Sequence, residues 1–382
     1  MLLSIYIALL AFLLLFPSSK KAFIVMMIYM WFLSSFCGDN ADYTIYKIRY
    51  MGYQDSSNVL ESGFSLYVRL CHLLHFDFRM FLIVTYAAIY IMLSWFVLKN
   101  VKKPNMFLFP YSISVFFIDY LQIRNYIAFS LILIGLHYFI KDNTSKANMV
   151  FIVMVVVASM FHFACIFYLL FLLVKKVNIN DLVLWIVIFD IIGVLFLRPK
   201  TVFFICKLFI GERKANQILN FNTQLVEGSE NGMKFVLKYY IVIIVTCCVM
   251  WLVSYVFRQK KIHTAFLSFR SVQNPVSEKI VCLKKCVLMC LLILPALLYN
   301  VEIYRLQRNS VLIFYALIAM YCNAYGKNKL IYRDDDGGLC VNININYAVL
   351  LTGSIIILYV QVYKLATFEK TATALFENNV LF

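Results

Sequence analysis

A chain of 382 residues in which 63% are hydrophobic and only 14% are charged is too apolar for a soluble globular protein, where about a quarter of residues are charged. The mean hydropathy of +0.83 instead predicts an all-α polytopic integral membrane protein. In so apolar a chain the net charge of +16 indicates a membrane surface, or anionic groups met at one, and not a nucleic acid.

About twelve apolar runs are candidates for membrane spans, some as short or broken helices. The first has no basic segment before its apolar run and no small-residue cleavage site, so we expect a retained span and not a signal peptide. We expect one transmembrane domain, 1–382, with spans near 2–17, 22–37, 79–98, 104–120, 122–140, 147–162, 163–174, 181–198, 235–257, 286–301, 308–326 and 345–363.

Lysine and arginine clusters in the short loops predict the orientation, because such loops favour the cytoplasm. The apolar run from Ala147 to Val174 is divided at His162, since two spans keep Lys175 on the same side as Lys146. The clusters that then share the cytoplasmic side are Lys20–Lys21, Lys99–Lys103, Lys141 with Lys146, Lys175–Lys176, Arg258–Lys285 and Lys327–Arg333.

Two long polar intervals then face the periplasm, 38–78 and 199–234. In the first, tyrosines recur at three- and four-residue steps, so a short helix would set an aromatic stripe beside carboxylates. Residues 64–79 are apolar on one face and basic on the other, which is typical of a helix in the membrane interface. The tyrosines of the stripe are Tyr43, Tyr46, Tyr50 and Tyr53.

This topology brings charged groups from distant parts of the chain to the external membrane face. Charges in or beside spans are costly, which makes them functional-site candidates, although arginines at span ends also extend to lipid head groups without a specific role. The candidates that we select are Asp42, Glu61, Arg124, His162, Arg305 and Arg308.

The residue types suggest separate roles. Arg124, at the start of a span, and Arg305 with Arg308, three residues apart, suit a phosphate or diphosphate, because guanidinium forks bind such groups in bidentate fashion. Arg305 also has a partner within reach in Glu302, at helical spacing. The candidate bases are Asp42, Glu61 and His162, and the further substrate-binding candidates are Tyr43, Tyr46 and Arg49.

We predict no metal site and no cofactor. His72 and His75 stand near Asp77 without a third ligand of metal-site spacing, and Cys282, Cys286 and Cys290 share a helix face without a histidine or carboxylate. The sequence contains no glycine-rich phosphate loop and no nucleophile elbow.

Four short motifs in the first 175 residues carry a resemblance to a known family. They are G-x-N-x-D-Y-x-x-Y from Gly38 to Tyr46, E-S-G-F from Glu61 to Phe64, Q-I-R-N-Y-I-A from Gln122 to Ala128, and F-H-F-A from Phe161 to Ala164. In this order the chain resembles the EpsG family, bacterial inner-membrane proteins grouped with the Wzy-type O-antigen and exopolysaccharide polymerases.

The resemblance implies a metal-independent membrane glycosyltransferase of the GT-C type, with periplasmic loops forming the site. Such an enzyme joins undecaprenyl-diphosphate-linked oligosaccharide donor and acceptor, among membrane lipids and with a chain-length regulator protein as a further partner. The competing functions are a lipid-linked oligosaccharide flippase and a membrane glycan ligase or acyltransferase. Transporters are expected to show two related halves and ionisable groups near the midplane, whereas the charges here gather at one face.

Overall fold

The computed structural model describes residues 1–40, 42–53, 61–196, 275–297, 303–325, 331–333, 339–341 and 369–380, with isolated positions between 204 and 356. Regular structure within these ranges is almost entirely helical. Strands β1 (Ile331–Arg333) and β2 (Leu339–Val341) add a short antiparallel pair, with Tyr332 opposite Cys340. The predicted loop at 199–234 and the predicted spans at 235–257 and 345–363 lie outside the described residues, apart from isolated positions.

The N-terminal half supplies most of the described helices. They are α1 (Leu2–Leu15), α2 (Lys20–Phe36), α3 (Tyr43–Met51), α4 (Ser62–Leu73), α5 (Phe78–Asn100), α6 (Asn105–Ser112), α7 (Phe116–Asp119), α8 (Ile123–Lys141), α9 (Ser145–Phe161), a long 3₁₀ helix (Phe163–Lys175) and α10 (Ile179–Phe196). The C-terminal part adds α11 (Pro275–Met289), a short 3₁₀ helix (Cys290–Ile293), α12 (Leu294–Leu297), α13 (Tyr304–Tyr325), a π-helical turn (Glu369–Thr373) and α14 (Ala374–Glu377).

Two described helices, α5 and α8, are long and apolar enough to cross a membrane alone. Three shorter apolar helices accompany them: α1, α9 and the long 3₁₀ helix. The predicted all-helical membrane class therefore agrees with the structure, while the number of twelve spans stays a prediction.

The predicted division at His162 is confirmed, because α9 ends at Phe161 and the long 3₁₀ helix begins at Phe163. A 3₁₀ helix rises about 2.0 Å per residue, against about 1.5 Å for an α-helix. Its 13 residues therefore reach farther than an α-helix of the same length. This extension brings so short a segment close to the thickness of a membrane core, about 30 Å.

The predicted span at 104–120 is a broken helix and not a continuous one. Helix α6 ends at Ser112, and α7 begins only at Phe116. Pro110 lies inside α6, where its missing N–H removes a helical hydrogen bond. The Ser114 hydroxyl donates to the Pro110 carbonyl (2.5 Å), so a side chain satisfies backbone where the helix breaks.

The predicted helix at 64–79 is also divided. Helix α4 ends at Leu73, His75 has a φ of 56°, and Asp77 caps α5 by accepting from the Met80 N–H (2.7 Å). Helix α4 has apolar residues on two sides. Phe64, Val68 and Cys71 are buried in the bundle, whereas Leu66, Leu70 and Leu73 are exposed. A helix with an exposed apolar stripe suits the predicted place in the interface.

Lysine side chains tie several helices together at one end of the bundle. Lys175 Nζ donates to the Asp142 carbonyl (2.8 Å), and Lys285 Nζ donates to the carbonyls of Val174 (3.0 Å) and Val177 (2.7 Å). Lys285 thereby satisfies carbonyls where the long 3₁₀ helix ends. The predicted span at 286–301 begins too late, because α11 already begins at Pro275 and the prediction placed its lysines in a loop.

Two asparagine side chains make further contacts at the same end. Asn105 Nδ2 donates to the carbonyls of Phe16 (2.6 Å) and Ser19 (3.1 Å), and Asn100 Oδ1 lies 3.0 Å from His137 Nδ1. We call this the lysine-rich end. Its basic clusters are Lys20–Lys21, Lys99–Lys103, Lys141 with Lys146, Lys175–Lys176 and Lys284–Lys285.

The C-terminal segment 369–380 packs at the opposite end, beside the first polar interval. The Gly38 N–H donates to the Asn378 carbonyl (2.6 Å), and the Tyr120 hydroxyl donates to the Thr371 carbonyl (2.7 Å). A Cβ on Gly38 would stand 2.8 Å from the Asn378 oxygen, which explains why glycine occupies this position. We call this the site end, because the candidate functional residues lie there.

If the two ends face opposite sides of the membrane, single cysteines at exposed positions will react differently with a membrane-impermeant maleimide in whole cells. Asp39→Cys, at the site end, is expected to react directly, and Lys102→Cys, at the lysine-rich end, only after permeabilisation. The unsubstituted protein measures the background of the native cysteines. Equal reactivity of both variants in intact cells contradicts this topology.

Candidate functional site

Helix α3 presents a polar face to the site. Asp42, at its N-cap, Tyr46 and Arg49 follow one another at helical steps and therefore share that face. Tyr46 is buried and Arg49 is partly buried. Burial, and then the nearby Arg124, lower the pKa of Arg49. The α3 face thus lies close to Arg124.

Glu61 stands at the N-cap of α4, yet its carboxylate does not cap that helix. Oε2 instead accepts from Arg124 Nη1 at 2.5 Å, in an ion pair whose side chains are 16% and 18% exposed. Gly63 makes this approach possible, because a Cβ there would lie 2.7 Å from the Met160 Cβ of α9. A side chain at 63 would push α4 and Glu61 away from the bundle.

Arg124 lies in the first turn of α8, where its guanidinium meets both Glu61 and the hydroxyl of Tyr46. Its Nε is buried and has no hydrogen-bond partner among the described residues. An unused buried donor is costly, and it gives the guanidinium capacity for a further acceptor.

His162 links α9 to the long 3₁₀ helix and lies among guanidinium groups. Burial, followed by the charges of Arg305, Arg124 and Arg308, lowers the pKa of His162 far below its usual value. The imidazole is therefore neutral at physiological pH. Its Nε2 is buried, with no hydrogen-bond partner in the part of the chain that the structure describes.

Arg308 forms a buried ion pair that sequence analysis missed. Its Nε lies 3.1 Å from Asp119 Oδ1, both side chains are 2% exposed, and its Nη2 donates to Gln122 Oε1 (2.7 Å). Arg308 is therefore buried within the bundle and does not lie at a surface where it would contact a ligand directly. Asp119 was detectable as an acid inside an apolar run, because such a residue is costly without a partner.

An amide pair holds the two arginine-bearing helices together. Asn125 and Asn309 exchange hydrogen bonds of 3.0 and 3.1 Å, and Asn309 Nδ2 also lies 3.1 Å from the Tyr168 hydroxyl. These asparagines follow Arg124 and Arg308 directly in the sequence. The pair therefore holds α8 against α13 next to both arginines, near the N-termini of the two helices.

Arg305 lies one turn before Arg308 on α13 and close enough to His162 to lower its pKa. Glu302, its predicted partner, is outside the described residues.

Tyr43 points elsewhere than Tyr46. Its ring meets Phe78 edge-on, with centroids 5.3 Å apart, and its hydroxyl accepts from Arg79 Nη2 at 3.4 Å. Both tyrosines line a shallow cavity of about 10 Å³, room for about one water molecule, together with Asn40 and others. Tyr43 therefore anchors α3 to α5 and also borders open space beside Tyr46.

Besides α3, which has Asp42 at its N-cap, four of the described helices have candidate residues at their N-termini at the site end. Glu61 precedes α4, Arg124 opens α8, His162 precedes the long 3₁₀ helix, and Arg305 opens α13. The N-terminus of a helix carries partial positive charge and unpaired N–H groups, both of which favour anions. The helix N-termini and the arginines thus both favour the binding of an anion at this end of the bundle.

The fold and the site define a helical membrane protein with arginines and helix N-termini gathered at one end of its bundle. A sequence model of the EpsG family matches residues 20–333, most of the chain, so the protein belongs to the EpsG family of Wzy-like polysaccharide polymerases. The match extends well beyond the motifs of the first 175 residues. Neither a curated protein nor a solved structure matches the chain.

Asp119→Asn is expected to destabilise the protein strongly, because it leaves Arg308 as a buried charge without its counter-ion. Breaking a buried pair in this way costs about 3–5 kcal/mol. Thermal unfolding of the purified protein measures the effect, with the exposed Asp142→Asn at the lysine-rich end as matched control. The double variant Asp119→Leu/Arg308→Met should be less destabilised than either single variant; an unfolding temperature unchanged in Asp119→Asn contradicts the role of the pair.

The lowered pKa of His162 predicts a pH-dependent loss of stability. Below about pH 6.5 the unfolded chain binds a proton that the folded chain refuses, so stability falls by up to about 1.4 kcal/mol per pH unit as the pH decreases. His162→Gln should unfold at more similar temperatures at about pH 7.5 and about pH 5.5 than the unsubstituted protein does. His75→Asn, at an exposed position, is the control; equal pH dependence in all three proteins would refute the prediction.

Proposed function

We propose that the protein polymerises polysaccharide by joining undecaprenyl-diphosphate-linked oligosaccharide repeats at the periplasmic face of the bacterial inner membrane, as a multi-pass GT-C-type glycosyltransferase. Family membership gives the polymerase-like class. The finer statement is carried by one observation, the convergence of three arginines and four helix N-termini on one buried region. A donor with a diphosphate supplies the anion that this region favours.

In this proposal Arg124 makes the principal contact with the diphosphate. It combines partial exposure with an Nε that has no hydrogen-bond partner among the described residues. Arg305 adds charge from the first turn of α13, and Arg308, held by Asp119, contributes at longer range. Positive charge fixed in a water-poor site stabilises a leaving diphosphate without reorganisation at the moment of reaction.

The reaction is an attack by an acceptor sugar hydroxyl on the anomeric carbon of the donor glycan, with undecaprenyl diphosphate as leaving group. A direct displacement inverts that carbon. The general base must accept a proton, and His162 is poorly suited because its protonation would add charge beside three guanidinium groups. Asp42 and Glu61 remain as candidates, with Tyr43 and Tyr46 as platforms for sugar rings and Arg49 as a further contact.

A flippase and a glycan ligase remain the competing functions. The surface glycan of a strain that lacks the gene separates them. A glycan reduced to a single capped repeat supports polymerisation, whereas loss of every repeat at the surface indicates transport or ligation.

Arg124→Ala is expected to lower turnover about ten- to a hundredfold, since losing one charge-assisted contact costs about 1.5–3 kcal/mol. Arg124→Lys should recover little, because lysine lacks the planar fork. In-vitro polymerisation with purified lipid-linked repeats measures both, and Arg69→Ala, on the exposed side of α4, is the control. Normal polymerisation by a well-folded Arg124→Ala protein excludes this assignment.

A further inference from the structure

The group that holds Arg124 in the structure is itself an anion. Glu61 Oε2 lies 2.5 Å from Arg124 Nη1, at the same fork that the proposed function assigns to the donor diphosphate. One guanidinium edge does not serve a carboxylate and a diphosphate fully at once. The two anions therefore compete for Arg124.

We propose that Glu61 is a displaceable occupant of the donor site: the diphosphate of the donor replaces its carboxylate on Arg124, and the released carboxylate becomes the general base for the acceptor hydroxyl. This inference rests on the proposed function and deepens it. It selects Glu61 over Asp42 as the catalytic base, and it makes donor binding the event that supplies the base.

The local structure permits this exchange. Glu61 and Arg124 are 16% and 18% exposed, in contrast to the 2% of Asp119 and Arg308, so this pair is reachable by a ligand and the deeper pair is not. The Glu61 side chain makes no capping bond to α4, so its departure breaks no hydrogen bond within that helix. Gly63 holds the backbone of α4 against α9, which keeps the carboxylate nearby after it leaves Arg124.

Electrostatics favours the diphosphate in the exchange. It carries more negative charge than one carboxylate, and it meets the charges of Arg305 and Arg308 and the helix N-termini as well as Arg124. The unused Nε of Arg124 offers it a second donor that Glu61 leaves without a hydrogen bond. A bidentate contact then replaces the single contact of the pair.

The exchange also prepares the carboxylate for its chemistry. It removes the cation that stabilises the charged carboxylate and places an anion nearby, and both changes favour proton uptake. The acceptor hydroxyl gives its proton to Glu61 as its oxygen bonds to the anomeric carbon. The bond from that carbon to the diphosphate breaks, and its electron pair stays on the leaving undecaprenyl diphosphate beside Arg124. Glu61 then releases the proton to water and pairs with Arg124 again when the diphosphate departs.

Binding of undecaprenyl diphosphate to the full-length protein in lipid nanodiscs tests the competition. Glu61→Gln should bind it about tenfold more tightly, as expected for removing one charged competitor. Arg124→Ala should bind more weakly, and the double variant Glu61→Gln/Arg124→Ala should bind no more tightly than Arg124→Ala alone. Asp142→Asn, which loses one negative charge at the lysine-rich end, should bind like the unsubstituted protein. Inorganic diphosphate should compete for the same site.

The turnover of Glu61→Gln is expected to fall although its affinity for undecaprenyl diphosphate rises. At saturating donor, Glu61→Gln should polymerise at least about a hundredfold more slowly despite its tighter binding, as expected for loss of a general base. Glu61→Asp should recover part of the rate, because it restores a carboxylate. The combination of tighter binding and slower turnover is not expected of a carboxylate that only supports the fold.

Two results would overturn the inference while leaving the proposed function in place. One is donor binding by Glu61→Gln that is no tighter than normal. The other is an equal gain in affinity with and without Arg124, which would mean that Glu61 repels the donor without occupying its site. If neither the unsubstituted protein nor Glu61→Gln binds undecaprenyl diphosphate when folded, the proposed function fails together with the inference.

Discussion

A guanidinium and a carboxylate that are each 2% exposed remain charged only because they compensate one another, and Arg308 and Asp119 do so where the short helix α7 meets α13. The bilayer offers no water to replace either partner. The pair therefore fixes the position of α13 relative to the broken segment, and Gln122 and the Asn125–Asn309 pair extend the same contact to α8. The rest of the site end is arranged around this neutralised centre.

Around the Arg308–Asp119 pair, positive charges outnumber negative ones at partly buried positions. Arg124 and His162 retain buried nitrogen atoms that have no hydrogen-bond partner among the described residues, and four helix N-termini meet beside them. Such an arrangement costs stability, since buried donors without acceptors lose their solvation. A site that binds an anion recovers this cost when the ligand arrives, which is why the excess is consistent with function and not with packing alone.

The two ion pairs differ in a way that separates structure from chemistry. Arg308 is buried so deeply that exchange of its partner would leave a buried carboxylate without a counter-ion. Arg124 is held by Glu61, whose side chain makes no capping bond to α4. The same contrast explains the glycine at position 63, since the exchangeable pair exists only if α4 lies directly on α9. Exposure and helix capping, more than residue type, thus distinguish an arginine that supports the fold from one available to a substrate.

The sequence by itself determined the membrane class, the division at His162 and the set of charged residues that meet at the site end, because hydropathy and helical spacing act over a few turns. It did not determine the break at Ile113–Val115 or the start of α11, since Ser114 and Lys285 satisfy backbone groups on other turns or other helices. It also missed Asp119 and the amide pair. Their partners lie far away in the sequence, so only tertiary packing decided which charges neutralise one another and which remain for a ligand.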